Sequence, residues 1–242
     1  MNAPRLRPPS LLESFNYAFE GIIHVLRTQR NMRIHFVVAF LVLIAALVTG
    51  VDKVELIALL LAIAFVLITE MVNTAVEGAI DVATTSFDPM AKLAKDIAAG
   101  AVLIATVTAV AVGYLVFADR IRDPSLRVVD TLRDAPFELT LIALVLTIML
   151  VIGAKAYTGR GTPLRGGLPS GHAAVAFGGW MSVTYLLGHA RHWFLISTVT
   201  FIMALLVAQT RVEAGVHSLF EVFLGGMLGA LVMLVVFQVF WS

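Results

Sequence analysis

The chain has 242 residues, of which 60% are hydrophobic and 14% charged, against roughly 45–50% and about 25% in a soluble globular protein, which excludes an ordinary water-soluble domain. Its 17 basic and 16 acidic side chains leave a net charge of +1, no basis for nucleic-acid binding. The lack of cysteine excludes disulfides, thiolate catalysis and sulfur-ligated metals.

At about 20 residues per membrane helix, the composition predicts an all-α polytopic membrane protein: an amphipathic surface helix followed by about seven spans. The first ten residues, with Arg5, Arg7 and three prolines, read as a cytoplasmic tail. From Leu11 to about Thr28, Phe15, Ala18, Phe19, Ile22, Ile23 and Leu26 recur at spacings of three and four between Glu13, Asn16, Glu20 and His24. That period predicts a helix lying on the membrane surface. Arg27, Arg30 and Arg33 precede a first span at about 34–50; a turn at Asp52 and Lys53 leads to a second at about 54–81, and a third covers about 97–117. Residues 118–136 form a polar linker with four arginines and four aspartates, separating a domain at 1–117 from one at 137–242. Four further spans follow at about 137–156, 172–187, 193–210 and 217–240. With the amino terminus inside, eleven Lys and Arg fall on the inner side and six on the outer, which orients the chain by the positive-inside rule.

Within the second span, Glu70, Asn73, Glu77 and Asp81 follow at spacings of three, four and four. At about 100° per residue they share an arc of roughly 80°. A carboxylate in hydrocarbon costs several kcal/mol unless paired, hydrated or bound to metal, so three on one face require a cation or a partner. Lys92, Lys95 and Asp96 stand at the mouth of the third span, on the same side as Asp81. Carboxylates for Mg²⁺, a lysine for phosphate and a buried acid able to accept a hydroxyl proton are the parts of phosphoryl transfer.

Residues from about 14 to 117, with RNMRIH, EMVNTAVEGAID and AKDIAAGAV, resemble the prokaryotic diacylglycerol kinase and undecaprenol kinase family. The resemblance implies ATP and Mg²⁺ as cofactors, a lipid alcohol as substrate and a homotrimer with shared active sites. It also implies Glu70 as general base, Glu77 as metal ligand, Asn73 and Asp81 lining the site, Lys95 and Asp96 at the nucleotide, and Tyr17 near the base. Where that family usually has a metal-binding glutamate before RNMRIH, this chain has Gln29, whose amide oxygen can still ligate Mg²⁺ but without charge.

The later spans carry a basic and histidine-containing set. Lys155 closes the fourth span; Arg160, Arg165, Ser170, Gly171 and His172 follow in a Gly-rich loop; Arg211, His217 and Glu221 come from the end of the sixth span and the start of the seventh. Lysine, arginine and backbone amides can hold phosphate oxygens. His217 can act as nucleophile, Glu221 four residues on can fix its tautomer, and His172 can serve as general acid. The glycines Gly225, Gly226 and Gly229 read as helix-packing positions. PSGH at 169–172 and the spacing Arg211, His217, Glu221 resemble the type-2 phosphatidic acid phosphatase family over about 137–240. This resemblance implies a metal-free reaction through a phosphohistidine on His217, with Lys155, Arg211, Ser170 and Gly171 cradling phosphate. The chain departs from that family in having Thr162 and Pro163 where Arg-Pro stands, Glu221 for an aspartate, and four spans rather than six.

The combined expectation is a fused lipid kinase and lipid phosphatase of the inner membrane, with both sites on the cytoplasmic side. Rival readings are a kinase with a degenerate second half that binds or senses lipid phosphate, and a transporter using the Glu70, Glu77 and Asp81 stripe as an ion path.

Overall fold

The computed structural model describes residues 10–84, 86–122, 136–159, 166–188 and 190–240. Most of the expected linker, together with Arg160, Thr162, Pro163, Arg165 and His189, lies outside them. Every regular element described is helical: α1 Leu11–Thr28, α2 Arg30–Thr49, α3 Lys53–Ala83, α4 Pro89–Arg122, α5 Pro136–Thr158, α6 Gly171–Leu186, α7 Trp193–Glu213 and α8 Leu219–Phe240.

Local chemistry sets the helix starts. Ser10 opens α1 and Asp52 opens α3, each paired with a glutamate three residues on: the Ser10 N–H donates to Glu13 at 2.7 Å and the Asp52 N–H to Glu55 at 2.7 Å. These reciprocal bonds satisfy backbone donors that a helix leaves free. Asp88 accepts from the Met90 N–H at 2.7 Å, with Pro89 at the first helical position, where its missing N–H costs nothing.

Six helices are long and apolar enough to cross a membrane: α2, α3, α4, α5, α7 and α8. The expected span at 172–187 is α6, with 16 residues and a length of about 24 Å at 1.5 Å per residue, short of the ~30 Å hydrocarbon core. Conversely α3, with 31 residues, extends about 46 Å, so one end stands clear of hydrocarbon.

One core joins the two halves of the chain. Leu43 and Leu47 of α2 and Leu56 and Leu59 of α3 pack with Leu139, Ile142 and Leu146 of α5 and Met233 and Phe237 of α8, all buried. A second cluster ties α1 to the far end of α5 through Ile23, Leu26, Met32 and Ile152. Thus α1 is amphipathic as expected, yet its second half buries its apolar face against protein, while Leu11, Leu12 and Phe15 stay exposed.

Helix α6 sits between α7 and α8 because α8 offers glycine where the two approach most closely. A Cβ at Gly229 would lie 1.8 Å from the Ala174 carbonyl oxygen, and one at Gly225 would lie 2.2 Å from that of Ser170. Any other residue at either position would force the two segments apart.

Candidate functional site

Two clusters carry the candidate chemistry. On α3, Glu70 and Asn73 are buried, at 3% and 7% exposure, and the Asn73 amide donates to Glu77 at 2.9 Å. This leaves the Asn73 Oδ1 buried with no hydrogen-bond partner. Glu77 is half-buried and Asp81 exposed, so the stripe runs from the packed part of α3 toward its free end. There the Lys95 ammonium of α4 reaches the Asp81 carboxylate at 2.5 Å, a link from α4 back to α3. Asp96 pairs instead with Lys92, four residues earlier on its own helix.

Two residues expected at this site make no hydrogen bond to Glu70, Asn73, Glu77 or Asp81 among the described residues. Tyr17 is 58% exposed on α1, whereas its neighbour Asn16 is buried at 4% and donates to Glu20 at 2.5 Å. Gln29 is the extended residue between α1 and α2 (φ −94°, ψ 124°); among the described residues no hydrogen bond links its side chain to Glu77. No group of three or more His, Asp or Glu side chains among the described residues is set to hold a metal by itself. The donor set still fits Mg²⁺, which takes one or two carboxylates together with substrate phosphates: Glu77 and the orphaned amide oxygen of Asn73 are the available ligands.

The second cluster gathers residues from four segments. Lys155, at the end of α5, is fully buried, and its ammonium donates to the carbonyls of Gly166 at 2.6 Å and Gly167 at 3.2 Å. Both glycines have positive φ, +69° and +78°, a conformation that side chains disfavour; this turn aims both carbonyls at the ammonium. Ser170, fully buried just ahead of α6, is anchored by its N–H to the Glu221 carbonyl at 2.9 Å. The His217 N–H donates to the Arg211 carbonyl at 3.1 Å, which folds the end of α7 back beside the start of α8.

Glu221 holds the nucleophile candidate. Its Oε2 lies 3.0 Å from His217 Nδ1 and accepts the Ser218 N–H at 3.1 Å, while the Glu221 N–H donates to the Ser218 hydroxyl at 3.2 Å. The longer glutamate is thus the partner that a helix start beginning at Ser218 calls for. With Nδ1 engaged, His217 Nε2 is the free face of the ring, buried and unpartnered, as are Ser170 Oγ and His172 Nδ1. Burial holds the His217 imidazole below its usual range; the Glu221 hydrogen bond opposes this, and Lys155 and Arg211 add to it. The ring is therefore neutral near pH 7, the state a nucleophile needs. Arg211, half-exposed, and Lys155 supply the positive field around it, and both reach His172 as well.

Sequence reasoning missed Asn16, Ser218 and the Gly166 and Gly167 carbonyls. The S-x-x-E spacing from Ser218 to Glu221 was a readable signal for the second, and the four-residue step from Asn16 to Glu20 a weaker one for the first.

Comparison with known proteins bears on both clusters. Residues 16–117 match the family model described as prokaryotic diacylglycerol kinase, and residues 151–242 match that of the PAP2 superfamily. The chain is 42% identical over 106 residues to a diacylglycerol kinase of Synechocystis sp., covering 43% of this chain and 61% of that protein. It is 37% identical over 105 residues to an undecaprenol kinase of Bacillus subtilis, covering 43% of this chain and 85% of that protein. No solved structure gives a significant match.

Proposed function

Because the chain belongs to the prokaryotic diacylglycerol kinase family through residues 16–117 and carries a PAP2-superfamily segment over residues 151–242, we propose that it is a bifunctional membrane lipid enzyme. The amino-terminal half phosphorylates a lipid alcohol, undecaprenol or diacylglycerol, with ATP and Mg²⁺. The carboxy-terminal half dephosphorylates a lipid phosphate or pyrophosphate. One observation carries this reading. Among the described residues the buried side-chain polar atoms without a partner are Asn73 Oδ1, Ser170 Oγ, His172 Nδ1 and His217 Nε2, and all four lie in the two clusters. Each costs about 1–3 kcal/mol when left unpaired, an expense that a bound ligand relieves.

In the first reaction Glu70, buried on α3, accepts the proton of the lipid hydroxyl as its oxygen bonds to the γ-phosphorus, the bond from that phosphorus to the β,γ-bridging oxygen breaks, and ADP leaves. Glu77 and Asn73 would hold the metal, with Gln29 as a neutral outer ligand. Bound Mg²⁺ supplies charge neutralisation on the phosphate oxygens. Asp81 keeps Lys95 at the site mouth, where its ammonium meets the nucleotide phosphates; Asp96 and Tyr17 complete the nucleotide side, contributed by neighbouring copies in a homotrimer.

In the second reaction His217 Nε2 attacks phosphorus, a P–N bond forms and the P–O bond to the lipid breaks. His172 gives its proton to the departing oxygen, and water then hydrolyses the phosphohistidine. Lys155, Arg211, Ser170 and the Gly171 amide hold the phosphate oxygens. Both sites face the cytoplasm in this reading. The close approach of Arg27 in α1 to Gly159 after α5 supports a common end for the two.

The test is to incubate purified protein with ATP-Mg²⁺ and separate lipid alcohols, then with lipid phosphates and no ATP. Glu70→Gln should abolish lipid phosphorylation, a loss of about 10²–10⁴-fold, and leave phosphate release standing; His217→Ala should do the reverse. Phosphate release by His217→Ala at the wild-type rate would refute the assigned nucleophile. Failure of the wild type on every lipid phosphate would leave the second half a binding module.

A further inference from the structure

Where α1 meets the later helices lies a cavity of about 470 Å³, within the roughly 300–1,000 Å³ of small-molecule sites. Its walls are apolar: Ile148 and Ile152 of α5, Val175 of α6, Val207 of α7 and, from the other half of the chain, Phe19 of α1. His172 borders the same cavity. The space therefore runs up to the cluster where Ser170 Oγ, His172 Nδ1 and His217 Nε2 have no partners, beside the buried Lys155. An occupant that satisfies both regions has an oxyanion for the cluster and hydrocarbon for the cavity. Helix α1 is held against this wall by Ile23 and Leu26, buried with Ile152.

We propose that α1 completes the hydrocarbon-binding wall of the carboxy-terminal site, so that Phe19, a residue of the amino-terminal half, helps select the lipid phosphate whose headgroup lies at His172 and His217. This rests on the reading of that cluster as a phosphate site. The second half then depends on the first for part of its substrate contact, and lipid choice at one site is set by a side chain belonging to the other.

The experiment is calorimetric titration of the full-length protein in detergent with two probes, inorganic phosphate and a long-chain alkyl monophosphate. Phe19→Ala removes the wall and Phe19→Trp narrows the cavity. Each should weaken alkyl phosphate binding roughly tenfold and leave the affinity for inorganic phosphate as in the wild type. Thermal unfolding checks the fold of each variant, and either one suffices if the other fails to fold. Unchanged alkyl phosphate binding overturns the inference, and so does an equal loss for both probes, which would locate the effect at the headgroup. Wild-type protein that binds neither probe overturns the phosphate-site reading itself, and the inference falls with it at that earlier step.

Discussion

Glu221 divides one carboxylate oxygen between the His217 ring and the Ser218 amide, which fixes the ring by a group that is itself fixed. The His217 imidazole titrates below the ordinary value of about 6.5, chiefly through burial. Its neutral, attacking form therefore persists to lower pH than that of a free histidine, so the acid limb of phosphate release should lie below that value, while burial, which lowers His172 as well, brings in an alkaline limb as the general acid loses its proton. Replacing Glu221 by Gln removes the influence that raises the ring's pKa, so the acid limb of the pH–rate profile should move to still lower pH while the rate drops about 10²-fold. An acid limb that stays in place would show that the carboxylate does not act on the ring. The same linkage works on stability. The unfolded imidazole takes up a proton that the buried one resists, so the fold loses stability as pH falls through about 6.5 and below, measurable by thermal unfolding. At Lys155, substitution by Met leaves the Gly166 and Gly167 carbonyls without their donor, and unfolding should come easier by about 1–3 kcal/mol per orphaned group. Residues spaced along one helix were legible in the sequence: the step from Glu70 to Asp81 and the step from His217 to Glu221 are local periodicities. Placements that depend on other segments were not. The burial of Asn16 beside an exposed Tyr17, and the folding of a glycine turn onto Lys155, follow from tertiary packing that no single window of sequence encodes.

At the scale of elements, the glycines of α8 determine how the loop before α6 reaches the second cluster. Gly225→Ala would put a methyl 2.2 Å from the Ser170 carbonyl and push Ser170 away from its backbone bond to Glu221. We expect a destabilisation of about 1–3 kcal/mol, typical of overpacking, with phosphate release impaired far more than lipid phosphorylation. Equal impairment of both activities would mean that the loop is not specifically tied to the later site. The sequence identified these glycines as packing positions; the caps at Ser10 and Asp52 came only with the structure. Hydropathy placed the beginning of α4 too late, because the Asp88 and Pro89 start lies in a polar stretch that it assigns to a loop. The bounds of α6 were legible to within one residue, 172–187 against Gly171–Leu186, because the Gly188 to His192 stretch ends the apolar run.

For the molecule as a whole, the two halves are distinguishable in sequence but share a core: α2 and α3 pack with α5 and α8. The first half thus supplies packing to the later helices. Cutting the chain within 123–135 by an inserted protease site should leave two fragments that copurify in detergent. Fragments that separate freely would deny the common core its role. A homotrimer remains part of the proposal, and in it α4, of which 11% of the most apolar stretch is buried within one chain, would face a neighbouring copy. Native mass spectrometry in detergent reads the copy number directly.

Helix α6, at 16 residues, begins at the second cluster and falls short of the thickness of an undisturbed bilayer. In the proposed reading, lipids beside its uncovered ends would sink or splay to cover them, lowering the leaflet where a headgroup descends to His172. Reconstitution in short-chain lipids, which bring the membrane surface down to that depth, should thus raise turnover at the later site, and long-chain lipids should depress it. Bilayer thickness would then be a control parameter of the proposed activity, written in the length of a single helix.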